Sequence, residues 1–227
     1  MKSLYLSLLV VIVGVVKADP LYFKPRVNQV GSKKLPNFCN GLECPQFKVV
    51  KKFKDYELRE YRLSYWVSTN IVGVDYKTAS KELFERLFKY ISGANVKKQK
   101  IEMTAPVLTK IIPSQGPACE SNFTMSFFVS MKNPPLPSSK DVFLSRLPRQ
   151  RVYVRYFPGY HMSDIEYWIQ EAIDLAKSIG DQSKYETKYY YIAGYDSPFR
   201  FLNRHNEIWF IANQDRARDT FMMNTKY

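Results

Sequence analysis

Tyr65-Trp66-Val67-Ser68-Thr69-Asn70-Ile71-Val72, running on into Lys81-Glu82-Leu83-Phe84-Glu85-Arg86-Leu87-Phe88-Lys89-Tyr90-Ile91-Ser92-Gly93, is the passage that decides the fold. Its first part is dense in β-branched and aromatic residues, the composition of a strand. Its second part places Leu83, Phe84, Leu87, Phe88 and Ile91 on one stripe of a helix expected over about Lys77–Ile91, with Gly93 where a C-terminal cap belongs. Glu82 with Arg86 and Glu85 with Lys89 are i, i+4 pairs on the opposite, wet side. A strand that feeds an amphipathic helix needs a sheet for that helix to cover.

Working outward, Gln46–Phe53 and Tyr56–Val74 alternate as a strand pair, and Ile101–Ile112 and Phe123–Ser130 read as two further strands. Asn133–Ser139 carries Pro134, Pro135 and Pro137 and reads as an exposed linker. The order then repeats. Arg151–Phe157 is a strand and Ser163–Ile179 a helix with Ser163 and Glu166 in a capping-box relation. Gly180 stands just past its end, and Thr187–Tyr195 and Glu207–Ala212 are strands. Ile165, Trp168, Ile169, Ala172, Ile173, Ala176 and Ile179 form the expected buried face of this helix. Strand, helix, strand, strand, written twice, predicts an α+β fold: an antiparallel, distorted β-barrel from two β-α-β-β units, with two helices packed outside.

The chain ends carry a different message. Lys2 followed by the apolar run Leu4–Val16 and by Val16-Lys17-Ala18 reads as a secretory signal peptide over residues 1–18. The competing reading is an uncleaved anchor, but the run is shorter than the roughly 18–20 apolar residues needed to span a bilayer, and no later segment approaches that length. Residues 19–45, rich in Pro, Lys and Asn, read as an extended lead-in. Residues 46–213 form the folded domain and 214–227 a polar tail. In an oxidising compartment Cys39 and Cys44 are the first choice for a disulfide across the Asn40-Gly41 turn. Cys119 is then left over or pairs between chains. Asn122-Phe123-Thr124 is the N-x-S/T sequon, a glycan site expected on a surface turn.

With 34 Lys and Arg against 21 Asp and Glu, the formal charge of +13 points to anionic partners. Export argues against nucleic acid. Catalytic patterns are missing: the two histidines, His161 and His205, lack metal spacing and read as surface loop residues, and no nucleophile elbow or phosphate loop is present. Glu207 and Tyr195 across the last hairpin form a conceivable acid/base pair, but Glu207 reads better as a structural carboxylate holding groups such as Arg204. The 17 Tyr, 15 Phe and 3 Trp suit either an ordinary core or a pocket for a flat apolar ligand.

Several blocks together are more specific. Tyr56-Glu57-Leu58-Arg59-Glu60-Tyr61 with Trp66-Val67-Ser68-Thr69, Tyr90-Ile91-Ser92-Gly93-Ala94-Asn95, and Lys100-Ile101-Glu102-Met103-Thr104-Ala105-Pro106-Val107 come first. Tyr153-Val154-Arg155-Tyr156-Phe157, Ala193-Gly194-Tyr195-Asp196-Ser197-Pro198 and Arg204-His205-Asn206-Glu207-Ile208-Trp209 follow. In this order, over about Cys39–Asn213, they resemble the SOUL heme-binding protein family, and the early Cys pair and signal peptide resemble its exported branch. The resemblance implies a monomer and a non-enzymatic binder of heme or another porphyrin, held in an apolar groove between the first helix and the sheet. In that groove Leu83, Leu87 and Ile91 face the ring, and Lys81 and Arg200 pair with the propionates. Some members carry a histidine, proposed as the axial iron ligand, where this chain has Glu60. A carboxylate is a poor substitute for an imidazole or thiolate. The expectation is therefore weak, largely metal-independent binding by a secreted carrier, buffer or scavenger. The alternative is an extracellular interaction or matrix protein that has lost the ligand and uses its basic surface.

Overall fold

Among the described residues, nine strands form a single antiparallel sheet in the order β1-β2-β7-β9-β8-β4-β5-β3-β6. They are β1 (Phe47–Lys52), β2 (Glu57–Tyr61), β3 (Ser64–Gly73), β4 (Val107–Ile112), β5 (Ser121–Val129), β6 (Val142–Leu147), β7 (Gln150–Phe157), β8 (Tyr190–Gly194) and β9 (Asn206–Ile211). Among the described residues two α-helices, α1 (Tyr76–Ile91) and α2 (Ile165–Ile179), accompany the sheet. This computed structural model describes residues 35–73, 75–113, 120–161 and 164–213. The expected signal peptide (1–18), most of the lead-in, Cys119, Ser163 and the tail (214–227) lie outside the described residues.

The sheet curls into a half-barrel, and its strand order exposes the repeat read from the sequence. β7-β9-β8 and β4-β5-β3 are the same three-strand unit, each containing its own helix crossover, joined back to back by the antiparallel β4–β8 pair from Val107↔Gly194 to Ile111↔Tyr190. β1 and β2 extend one edge and β6 the other. Both helices cover one face, where Leu83, Leu87, Trp168 and Leu175 pack with Val67, Phe127, Ile192 and Ile208. Full burial of Leu83 and Leu87 stabilises the α1 contact by about 1.5–3 kcal/mol each. The opposite face has a second core of Tyr61, Trp66, Leu108, Val152, Tyr195 and Trp209.

That second face is covered by the lead-in. Cys39 and Cys44 are joined at 1.98 Å, as expected, and both are buried. Ala105 donates its N–H to the carbonyl of Glu43. Residues 36–45 therefore belong to the folded body.

Several local readings change. The stretch Tyr56–Val74 breaks at Arg62-Leu63: β2 pairs with β1 and β7, whereas β3 pairs with β5 and β6. β4 starts only after Pro106, which has no N–H to give a ladder. The proline segment is docked: Pro135 is buried, its carbonyl accepts the Tyr90 hydroxyl at 2.7 Å, and Pro137 bridges to Asn95. β6 follows it as an edge strand that the sequence reading passed over. On α2 the N-cap is Asp164, which accepts from the Tyr167 N–H, and Gly180 takes the left-handed C-cap at φ 72°. Ile169 and Ile173 are 42% exposed, while Leu175 is fully buried. The line Trp168, Ala172, Leu175, Ile179 faces the sheet, and residues one position on turn about 100° away. Among the described residues no helix is long and apolar enough to cross a membrane.

Candidate ligand-binding site

At the centre of the helix-free face lies Glu207, fully buried on β9. Because side chains alternate, β9 sends Glu207 and Trp209 to the same face, and the antiparallel β2 and β8 ends bring Arg59 and Tyr195 beside them. Arg59 Nη1 donates to Glu207 Oε1 at 2.8 Å and the His205 Nε2 lies 2.6 Å from the same oxygen. The Tyr195 hydroxyl and Trp209 Nε1 donate to Oε2 at 3.0 and 2.7 Å. Burial by itself would raise the carboxyl, but the Arg59 charge, with the His205 and Trp209 hydrogen bonds, outweighs it and holds Glu207 at about 2. Burial and then the Glu207 charge push the Tyr195 hydroxyl well up. A carboxylate this acidic is a poor base near neutrality, and Tyr195 stays a donor, so the acid/base reading loses its chemistry. Glu207 is the expected structural carboxylate, but it holds Arg59; Arg204 instead donates to the carbonyls of Ser197, Arg200 and Asp196.

His205, expected as a surface loop residue, is the middle of a ring stack. Phe38 lies on one side, centroids 4.1 Å apart and planes 9° from parallel. Tyr156, half exposed, lies on the other at 4.3 Å and 19°. His205 and Tyr156 of this stack line a cavity of about 500 Å³ between the β1–β2 hairpin, β7 and the start of β9. Phe53 and Tyr56 stack at 4.3 Å on the hairpin side. Four cations line the cavity, Lys52, Lys54, Arg59 and Arg155, against the two acids Asp55 and Glu57. A second cavity, about 350 Å³, lies against α1 and is lined by Glu82, Glu85 and Asp141 with Arg86 and Lys89.

Comparison with known proteins settles the family. The sequence model of the SOUL heme-binding proteins matches residues 42–211. The chain belongs to the SOUL heme-binding protein family. It is 36% identical to human Heme-binding protein 2 over 168 residues, which is 72% of this chain and 81% of that protein. Identity to the mouse Heme-binding protein 2 is 34%, covering 77% and 88% of the two chains, and to Heme-binding protein 1 of Xenopus laevis 32%, covering 76% and 94%. A chain in the cryo-EM structure of an EcmrR–DNA complex shares the fold, with a TM-score of 0.52 at 13% identity over 69% of this chain and 56% of that one.

Set in a SOUL domain, the residues expected to grip a porphyrin are dispersed. Leu83 and Leu87 are 0% exposed and Ile91 2%, so they are core residues closed against the sheet and offer a ring no surface. The helix stripe was read correctly, but the sheet covers it completely. Lys81 is exposed on α1. Arg200 lies on the β8–β9 connection, where its polar contacts are Asn40, Asp196 and the Leu202 carbonyl, none of them on α1. Glu60 is bound by Lys48 at 3.0 Å, Arg149 at 2.7 Å and Arg151 at 3.7 Å. The hydrogen bonds from Lys48 and then Arg149 hold its carboxyl below the ordinary range. Glu60 is therefore held as the counter-ion of three cations.

Heme is flat, largely apolar and carries two propionates. The α1 cavity does not fit it, because three acids against two bases repel a dianion. The hairpin cavity offers the aromatic surface of Phe53, Tyr56 and Tyr156, but of its cations Arg59 is paired with Glu57 and Glu207 and Arg155 with Glu171, which leaves the exposed Lys52 and Lys54 at its rim. Among the described residues no three His, Cys, Asp or Glu side chains are grouped to hold a metal ion. Met103 packs half-buried against the helix-side core. Asn122 is on β5, between Val72 of β3 and Ile112 of β4, and not on a turn.

Proposed function

We propose that this SOUL protein is an exported, monomeric, non-enzymatic binder of heme or a related tetrapyrrole, acting as a carrier, buffer or scavenger. The observation that carries the reading is the family match from residue 42 to residue 211, whose relatives are named heme-binding proteins. Binding is weak and largely indifferent to the metal, because the position of the proposed axial histidine is Glu60, already occupied by Lys48, Arg149 and Arg151. The ring is held through its faces and its propionates. Export is supported by the n-region, apolar run and small-residue site of residues 1–18 and by the Cys39–Cys44 bridge, and Asn122 is the proposed glycan site.

One observation favours a second reading: the face of α1 expected to form the groove is closed. On that reading the fold has lost its ligand and the basic surface holds anionic extracellular partners. Titration with hemin and with metal-free protoporphyrin IX separates the two. Saturable 1:1 binding of both at similar affinity is the expected result. Tight binding of hemin alone refutes metal indifference, and no saturable binding of either leaves the interaction protein.

A further inference from the structure

We infer that the β8–β9 connection, residues 195–205, is a docking tip that seats the protein on the headgroup region of an anionic lipid bilayer. Its centre is the run Phe199-Arg200-Phe201-Leu202, in which Phe199 is 68%, Phe201 70% and Leu202 78% exposed. Among the described residues no other large apolar side chain is as exposed as these. Single apolar side chains in water are ordinary, but a contiguous group marks a place that something else covers. Half-exposed Tyr160, just beyond β7, enlarges the group by stacking on Phe201 with centroids 5.7 Å apart.

The tip is held from beneath by one buried side chain. Arg204 donates Nη1 to the carbonyls of Ser197 at 2.7 Å and Arg200 at 2.6 Å, and Nη2 to that of Asp196 at 3.2 Å. Its guanidinium also lies 4.7 Å from the centre of the Tyr160 ring on which Phe201 stacks. Arg200 Nε donates to the Leu202 carbonyl at 3.1 Å, the Phe199 N–H to Ser197 Oγ at 3.3 Å, and the His205 N–H to Asp196 Oδ2 at 2.6 Å. Backbone groups that approach hydrocarbon must be paired within the protein, and these already are. A protein partner can supply missing hydrogen bonds itself, whereas a lipid tail cannot, so this internal pairing favours lipid as the occupant.

Charge then selects the kind of membrane. The pairs Gly194↔Asn206 and Phe157↔Asn206 bring the ends of β8 and β7 to the start of β9, and Glu57↔Val154 brings the β1–β2 hairpin to the same end of β7. That hairpin presents Lys51, Lys52 and Lys54, all exposed, with Lys51 Nζ 4.8 Å from the centre of the Phe53 ring. Of the two acids there, Glu57 is already paired with Arg59 at 2.9 Å, and Asp55 is the other. Arg200 on the tip itself faces Asp196, whose side chain is buried. Long cationic side chains beside an apolar tip reach lipid phosphates and carboxylates while the rings sink between the headgroups.

The test is co-sedimentation of the signal-free, disulfide-intact chain with vesicles of phosphatidylcholine alone and of phosphatidylcholine with about one-third phosphatidylserine. No tetrapyrrole is present, so the outcome is independent of the proposed function. The wild type is expected to bind the anionic vesicles roughly tenfold or more tightly than the neutral ones, and to be released as salt rises. Phe199→Ser with Phe201→Ser and Leu202→Ser, and separately Lys52→Glu with Lys54→Glu, are each expected to weaken that binding roughly tenfold or more. Melting curves should be unchanged, since all five side chains are exposed. Val96→Ser with Leu136→Ser removes another exposed apolar pair, beyond the C-terminal end of α1, and is expected to bind as the wild type does. Phe201→Trp reports the contact directly, with emission that shifts to the blue on anionic vesicles and is quenched by brominated lipid. A wild type that ignores anionic vesicles, a tip variant that binds them equally well, or a Val96 and Leu136 variant as damaged as the tip variant overturns the inference. Self-association without lipid that the tip variant abolishes overturns it too, and assigns the patch to a second copy of the chain.

Discussion

Replacing Glu207 by Gln changes one oxygen for an amide group and removes one charge, yet the structure makes it among the most damaging single changes available in the helix-free core. The carboxylate accepts four hydrogen bonds, two on each oxygen, from Arg59, His205, Tyr195 and Trp209. Gln offers one acceptor oxygen. If that oxygen stays with Arg59 and His205, the amide N–H groups face the Tyr195 hydroxyl, which can turn to accept, and the Trp209 N–H, which cannot. One buried donor then loses its partner, at about 1–3 kcal/mol. Arg59, 4% exposed, also loses this partner but keeps Glu57 at 2.9 Å, which holds the further cost below the about 3–5 kcal/mol of a buried pair left uncompensated. The titration route points to the same magnitude: a carboxyl held at about 2 in the folded chain, against an ordinary value of 4.5, contributes roughly 3 kcal/mol at neutral pH. Together these give a loss of about 4 kcal/mol, or a fall in Tm of about 10 °C for a domain of this size. The sign with pH is fixed as well. Glu207 is more acidic when folded, so its contribution is complete above about pH 4.5 and is lost as the pH falls toward 2. Urea denaturation of wild type and variant at pH 7, 5 and 3 should show a gap that narrows on the acid side. A loss under about 1 kcal/mol at pH 7, or a gap equally wide at pH 3, would refute the account of Glu207 as the charged anchor of this face.

Other perturbations separate the two faces. Leu87→Ala should cost about 2–5 kcal/mol of stability by urea melting, since Leu87 is a sealed core residue; a near-neutral change would mean that its surface is open after all. Reducing the Cys39–Cys44 bridge releases a short loop and should cost about 2 kcal/mol. Hydrogen exchange should then rise at Leu42, whose N–H is held by the Cys39 carbonyl, and at Ala105, held by Glu43, while α1 stays protected. Equal loss of protection in α1 would contradict the separation of the two cores. Glu60→Ala should leave the ratio of hemin to protoporphyrin affinity unchanged in paired titrations and cost less than about 1 kcal/mol, because the partners Lys48 and Arg149 remain exposed.

The binding site illustrates where reading a chain residue by residue stops. A helical stripe of Leu83, Leu87 and Ile91 is visible in the sequence, but a stripe looks the same whether it lines a groove or closes against Val67 and Phe127. His205 reads as a surface loop residue because its partners are far away in the chain: Phe38 lies 167 positions earlier and Tyr156 49 earlier. The usable signal was Arg204-His205-Asn206-Glu207, in which His and Glu two apart share one face once the segment is extended.

What local chemistry dictates was legible in the chain itself. The periodicities of 3.6 and 2 marked both helices and most strands, Gly180 marked the end of α2, and the repeated order of elements marked the duplicated half-barrel. The Asn-Gly turn joined Cys39 to Cys44, and the ordered blocks marked the SOUL family. Only the tertiary structure decided that the lead-in covers the second face, that Arg59 and not Arg204 answers Glu207, and that cations and aromatic rings gather at the β1–β2 hairpin rather than along α1. The physical reason is that secondary structure follows from neighbours a few residues apart, whereas a site depends on which strands pair. That register is set by burial of side chains from both ends of the chain at once.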